Sequence, residues 1–247
     1  MTSNQFYSPR IDEKTPRIIL EGAEHHHLAN VVRVGAGEMV WLFDAEGNRY
    51  RAQVETVEKD RAVLRLLERV AQEEPRLKLV LVQALLPAKK IELILQKAAE
   101  LGISGFIPVE TVRSLKSPEG RYGQKTERWA RIAREATKQS KGPAAPAVSP
   151  PRRLKDILAE PGEGLRIFLS EHGGKPLRIL LTEGDEGGEP VPSPVTVFVG
   201  PEGGWTEAEE KNFRAAGCEA ISLGRRVLKA ETAALAAVAM ISHFWKE

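Results

Sequence analysis

The spacing of hydrophobic and polar positions changes near residue 77, and the change divides the chain. Before it, short apolar runs of strand length follow closely at 17–20, 38–43, Arg49–Val57 and 61–67, the last two partly alternating apolar with polar. The run Asp44, Ala45, Glu46, Gly47 predicts a hairpin turn between two of them. Residues 24–33 predict a short helix, stopped by Gly35 and Gly37. Closely spaced short strands of this kind suggest a small β-barrel. Residues 71–76 read as a linker, so the expected domains are 1–72 and 73–247.

After residue 77 the pattern becomes strand and helix in alternation. Residues 77–84 form an almost continuous apolar run, as in a strand buried on both faces. Residues 90–101 predict an amphipathic helix closed by Gly102. A strand follows at 105–109, then a helix at 124–140 with Trp129, Ile132, Ala133 and Ala136 inward and Arg128, Arg131, Arg134 and Lys138 outward. Residues 142–151 hold four prolines and predict a loop, ordered or mobile. Further strands are expected at 165–169, 195–199 and 218–223. Thr206 and Glu209 predict a capping box opening a helix that Gly217 ends, and 231–245 predict an apolar terminal helix. The alternation implies an α/β domain with a mostly parallel sheet.

Length and composition narrow the classes. A chain of 247 residues is one large domain or two ordinary ones. The longest unbroken apolar run, 233–241, falls far short of the about 20 residues of a membrane span. The N-terminus lacks a basic-then-apolar signal. A single cysteine, Cys218, excludes an intrachain disulfide and a cysteine-rich metal site, and a reducing cytoplasm fits. Charge is unevenly placed: residues 113–155 carry twelve Lys/Arg against three Asp/Glu. Such a stretch is an electrostatic footprint for a polyanion, or else a solvated helix face.

Two glycine-bearing loops are the candidate chemistry. Gly200, Pro201, Glu202, Gly203, Gly204 and Trp205 lie between a buried strand and the capped helix, where α/β sheets bind ligands. The loop has neither G-x-G-x-x-G nor P-loop spacing, which removes the dinucleotide oxidoreductase reading, and Glu202 disfavours phosphate while suiting a cationic or hydroxyl-rich ligand. The second loop, 223–233, leaves another strand. There Gly224 permits close backbone approach, and Leu223 and Leu228 are placed to clamp a flat ring. Solvated Arg225 and Arg226 beside a core alanine run are the plain alternative. His25, His26 and His27 point about 100° apart on a helix and do not converge on one metal ion. Cys218 inside a strand, and Ser170 outside a G-x-S-x-G turn, are poor nucleophile candidates.

Together, Gly200-Pro-Glu-Gly-Gly204 and Leu223-Gly-x-Arg226-Val-Leu228-x-x-Glu231-Thr-Ala233 resemble the ribosomal RNA small subunit methyltransferase E family of the SPOUT class. His26-His27-Leu28-x-x-Val31-Val-Arg33, Lys97-x-x-Glu100-Leu-Gly102 and Glu135-Ala-x-x-Gln139-Ser140 extend the match in order along nearly the whole chain. The chain departs from the family pattern at Gln5, Pro87 and Lys229. The resemblance implies a small N-terminal PUA-like β-barrel and an α/β C-terminal domain with a deep trefoil knot. It also implies a homodimer that methylates N3 of one uridine in 16S ribosomal RNA with S-adenosylmethionine, without a metal. Carried onto this sequence, cofactor binding falls to Leu169, Ser170, Val199, Gly200, Pro201, Glu202, Gly203, Gly204, Leu223, Gly224, Val227 and Leu228.

Uridine N3 is a weakly acidic imide that must lose its proton, so a base or a nearby cation is needed. The expected catalytic residues are Arg113, which stabilises the imide anion unless a residue of the basic helix does so, and Glu231, organising the loop. RNA is expected on His27, Arg33, Arg121, Arg128, Arg131, Lys138 and Lys141. The competing reading is a non-catalytic RNA-binding factor of ribosome assembly, which would use the same basic face but bind no cofactor.

Overall fold

The computed structural model describes residues 4–44, 48–70, 77–116, 122–186 and 192–246. Its contacts separate two compact units: Met1–Glu74 with Lys141–Ala144, and Pro75–Ser140 with Ala145–Glu247.

The first unit contains β1 (Gln5–Tyr7), β2 (Arg17–Glu21), α1 (Gly22–His26), a π-helical segment (His27–Val32), β3 (Met39–Phe43), β4 (Arg49–Val57) and β5 (Arg61–Val70). They build one sheet in the order β1-β3-β4-β5-β2, antiparallel except for the β1–β3 pair. Period-two alternation sets the core: in β2, Ile18 and Leu20 are buried while Ile19 between them is 53% exposed. Phe6, Leu28, Leu42, Tyr50 and Leu64 belong to the same cluster. Strand β5 runs three residues beyond the expected 61–67 because Glu68–Val70 still pair with Arg49–Arg51, and Arg51 meets Glu68 at 3.0 Å. Most of the expected turn at 44–47 lies outside the described residues.

The helix expected at 24–33 begins at Gly22 and changes to π geometry at His27. It ends on Arg33 in the left-handed region (φ 59°), whose N–H donates to the Leu28 carbonyl. His25 is buried, with Nε2 2.9 Å from the Glu58 carbonyl.

The second unit contains β6 (Leu79–Ala84), α2 (Ala88–Glu100), β7 (Gly105–Glu110), α3 (Tyr122–Ser140), β8 (Ala147–Val148), β9 (Arg152–Arg153), α4 (Leu154–Ala159), β10 (Leu165–Leu169), β11 (Lys175–Pro176), α5 (Leu177–Glu186), β12 (Val195–Val199), α6 (Glu207–Ala215), β13 (Glu219–Ser222) and α7 (Ala230–Lys246). The sheet is parallel, in the order β11-β13-β10-β12-β6-β7-β8, with β9 also on β7. Helices α2, α3, α5 and α7 cover one face, around Leu81, Ile94, Val197 and Ile241. Helices α4 and α6 cover the other, around Phe168, Phe198 and Phe213. Burial on both faces explains the unbroken apolar strands.

Strand β6 starts two residues later than the apolar run, because the Lys78 N–H donates to Ser193 Oγ (3.1 Å) instead of joining the ladder. The proline-rich segment is ordered: β8 and β9 pair with β7 at the sheet edge, where missing proline N–H groups are tolerated. Helix α5 was not expected, although Leu177, Leu180 and Leu181 carry the i, i+3, i+4 spacing of its buried stripe. One outward assignment on α3 is corrected. Lys138 is buried at 9% exposure, and its ammonium pairs with Glu135 at 3.0 Å, so it does not belong to the exposed basic face. The alanine run of α7 serves the core through Ala234 and Ala237.

Candidate functional site

Strands β13, β10 and β12 lie side by side, and the loops leaving their carboxyl ends enclose a cavity of about 390 Å³. This is where an open parallel sheet places its ligand crevice. Eleven of the twelve residues expected to hold the cofactor line it: Leu169, Ser170, Val199, Gly200, Pro201, Glu202, Gly204, Leu223, Gly224, Val227 and Leu228. Gly203 does not. A side chain there would face Arg113 instead, with Cβ 3.4 Å from Arg113 Cδ.

The loop after β12 is held in shape by its own chemistry. The Gly204 N–H donates to the Pro201 carbonyl (2.9 Å), closing a reverse turn. Gly204 has φ 67°, and a Cβ there would collide with the Glu171 carboxylate, so only glycine fits without strain. Trp205 is buried, edge-on to Phe213 at 4.8 Å between ring centroids, and its Nε1 donates to the Leu169 carbonyl (2.8 Å). That bond ties the loop after β12 to the loop after β10. Arg113 reaches across from the segment after β7 and donates to the Gly203 carbonyl (2.6 Å) and the Trp205 carbonyl (3.3 Å). Glu209 completes the capping box with Thr206 and also accepts the Val112 N–H at 2.8 Å.

The cavity wall is zwitterionic. Lys90, on α2, bridges Glu202 and Glu231, the latter at 3.5 Å. Donating a hydrogen bond to Glu202 raises the Lys90 pKa, and Lys90 in turn lowers that of Glu202. The Glu202 charge is therefore kept as pH falls through the ordinary carboxylate range, and the Lys90 charge as pH rises toward the ordinary lysine value. Arg225, Arg226 and Lys229 add three more cations to the lining. Glu231 Oε2 is buried and accepts no hydrogen bond. Ser170 is buried, and its hydroxyl donates to Glu210 Oε1 at 2.7 Å while accepting from His172 N. Burial raises the Cys218 pKa and keeps the thiol protonated.

Sequence reasoning overlooked Lys90 and Glu210 at the cavity. Trp205 stood within the candidate glycine loop but outside the expected cofactor contacts, and its role as the anchor of the loop was not read. Lys90 carried no signal, because it sits on an ordinary amphipathic helix more than a hundred residues from the acids it bridges.

The residues expected on RNA are scattered over several elements. Arg33, Arg131 and Lys141 are exposed, and His27 is half-buried with its ring edge-on to Phe6 at 5.7 Å. Arg128 is held by Glu92 through two bonds, at 2.7 and 2.8 Å. Arg121 lies outside the described residues. Arg33 and Lys141 are the two non-glycine residues with positive φ among those described. That conformation costs a side-chain-bearing residue roughly 1–2 kcal/mol. Arg33→Gly and Lys141→Gly are therefore expected to leave stability unchanged or raise it by up to about 1 kcal/mol, while weakening RNA binding. Thermal melts and RNA titrations of the two variants check this; a lower melting temperature with unchanged RNA affinity would refute it.

Among the described residues no group of three or more His, Cys, Asp or Glu side chains is placed to hold a metal, and no helix is long and apolar enough to cross a membrane.

Comparison with known proteins agrees with this geometry. The RNA methyltransferase domain family matches residues 72–242, and the RNA methyltransferase PUA domain family matches residues 20–67. The ribosomal RNA small subunit methyltransferase E of Bacillus subtilis is 30% identical over 234 residues, covering 94% of this chain and 91% of the relative. The Synechocystis protein of the same name is 32% identical over 229 residues, covering 91% and 72%. The crystal structure of the Neisseria gonorrhoeae ribosomal RNA small subunit methyltransferase E, bound to S-adenosyl methionine, superposes with a TM-score of 0.83 at 30% identity and 98% coverage of both chains. A loop-enclosed cavity at adjacent strand ends, a matched RNA methyltransferase domain and likeness to these relatives over more than nine-tenths of this chain converge on one assignment: the chain belongs to the ribosomal RNA small subunit methyltransferase E family.

Proposed function

We propose that this protein transfers a methyl group from S-adenosylmethionine to N3 of a uridine in 16S ribosomal RNA, acting in the cytoplasm as a homodimer. The observation that carries this reading is the single cavity formed by the loops after β10, β12 and β13, with glycine turns, apolar walls and an acid–base rim. S-adenosylmethionine supplies a methyl group made electrophilic by a positive sulfonium. The residues present fit such a molecule. Leu223 and Leu228 offer apolar surface to a flat adenine, the loop backbone offers hydrogen bonds, and Glu202 and Glu171 bring negative charge toward a cation.

This chain's residues then have separable tasks. Trp205 and Arg113 hold the loop after β12 in the shape that receives the donor, which is the positioning on which close-range transfer depends. Lys90, Arg225, Arg226 and Lys229 place cations at the wall, and cations nearby lower the pKa of an imide and favour its nucleophilic anion. Glu231 holds Lys90 from the α7 side. Residues 1–72 serve as the RNA-docking domain and 73–247 as the transfer domain, with the knot that the family resemblance implies gathering the loops around the cavity. Arg33, Arg131 and Lys141 are the exposed contacts for RNA. The exposed Phe244 and the partly buried Met240 of α7 supply an apolar face for the second subunit.

The test is methyl transfer from labelled S-adenosylmethionine to small ribosomal subunits, with digestion of the RNA and identification of the product nucleoside. Label in N3-methyluridine is the expected result. Label in another nucleoside would refute the position, and failure to bind S-adenosylmethionine by calorimetry would return the protein to the non-catalytic assembly-factor reading.

A further inference from the structure

A second cavity, of about 570 Å³, opens beside the end of β7 and is walled by α4 and α6. Its apolar surface comes from Val112, Leu154, Leu158, Ala159, Ala215 and Ala216. Val112 is 67% exposed, so its side chain is open to a ligand at the mouth of the cavity. The rim carries Lys116, Arg153 and Lys155, all exposed. Two acids also line it, and both are engaged. Glu110 accepts a hydrogen bond from the Tyr122 hydroxyl (3.1 Å), and Glu209 is buried, accepting from Val112 N, Thr206 N and Thr206 Oγ1. Lys116 donates to the Thr111 carbonyl (2.7 Å), which fixes its ammonium at the rim and leaves two protons for a ligand. Asn212 adds the donor–acceptor pair of an amide.

We infer that this cavity receives one unpaired nucleotide of the RNA substrate, its base against the apolar floor and its phosphates on Lys116, Arg153 and Lys155. An apolar floor beneath a cationic rim matches a splayed nucleotide, which presents a flat ring and a charged backbone together. A protein segment would match the floor but not three cations, and a free anion would match the cations but not the floor. The cavity is linked to the first one. Val112 is held by Glu209, its neighbour Arg113 is bonded to the Gly203 and Trp205 carbonyls, and Glu209 caps the helix that follows that loop. A strand anchored here is thus anchored to the segment that bounds the donor site. The inference rests on RNA being the substrate, and it adds a subsite distinct from the donor cavity.

The test uses a short single-stranded oligouridylate as probe, titrated at several salt concentrations against the full chain. The variants are the double Arg153→Ala/Lys155→Ala, which removes two charges of the rim, and Ala215→Trp, which fills the floor at constant charge. The double variant is expected to weaken binding about tenfold, with the slope of log affinity against log salt falling by about 0.7 per lost phosphate contact. Ala215→Trp should weaken binding with the salt slope unchanged, and S-adenosylmethionine affinity should be unaltered in both. Unchanged oligonucleotide affinity in both variants would overturn the subsite. Weakening by the charge variant alone would also overturn it, as that is what a featureless basic surface gives. Loss of S-adenosylmethionine binding by the unsubstituted protein would instead sink the methyl-transfer reading, so the two failures are separable.

Discussion

Replacing Trp205 with alanine will both destabilise the transfer domain and abolish its use of S-adenosylmethionine. Truncating a buried tryptophan costs about 3–5 kcal/mol through lost burial and the cavity left behind. Trp205 is 3% exposed and packs against Phe213. At roughly 2–4 °C per kcal/mol for a domain of this size, the melting temperature should fall by about 6–20 °C. The same side chain bonds the Leu169 carbonyl and lines the donor cavity, so the folded fraction should bind cofactor at least about tenfold more weakly. Trp205→Phe separates the two effects. It retains most of the ring and loses the Nε1 hydrogen bond, a change of about 1 kcal/mol. Its melting temperature should stay near that of the unsubstituted protein while calorimetry shows weaker cofactor binding. Undiminished cofactor affinity in both variants would show that Trp205 is core alone.

Replacing Arg113 with alanine is the second large effect, and its sign discriminates between two roles. From the sequence, Arg113 was expected to stabilise the imide anion, which predicts lost turnover with cofactor affinity almost unchanged. The structure engages its guanidinium with the Gly203 and Trp205 carbonyls. A charged donor to a carbonyl contributes about 1.5–3 kcal/mol, so removing it should loosen the loop after β12 and weaken cofactor binding by about tenfold to a hundredfold, with turnover falling in parallel. Arg113→Lys should recover part of the affinity, since an ammonium can reach one carbonyl but cannot span two in the fixed fork of a guanidinium. Equal cofactor affinity in Arg113→Ala and the unsubstituted protein, with turnover lost, would restore the anion-stabilising role and reject the positioning one.

Both predictions depend on features of different legibility. Residues 200–204 are legible as a loop site because glycine, proline and a flanking strand and helix are local signals, and Thr206 with Glu209 marks the helix start in the sequence itself. The parallel strands were equally legible, since a run such as 195–199 is apolar only if both faces are covered. Short elements were not. Strands β8, β9 and β11 have two residues each, too few for any periodicity, and exist only because a neighbouring strand completes their hydrogen bonds. Lys138 shows the limit of helical spacing, which placed it outward with Arg128 and Arg131 although it is buried and paired with Glu135. The change to π geometry after His26 shifts side-chain directions in a way no regular period records.

Local patterning alone therefore determined the two-part organisation, the longer strands and the five helices the spacing marked, the glycine loops and the basic character of residues 113–155. Tertiary structure decided which distant residues share a site: Lys90 between Glu202 and Glu231, Arg113 across the loop after β12, and the second cavity built from β7, α4 and α6. The reason is physical. Periodicity and capping act within a few residues along the chain, whereas an ion pair or a cavity wall depends on the strand order of the sheet, which brings together positions as far apart as Lys90 and Glu231.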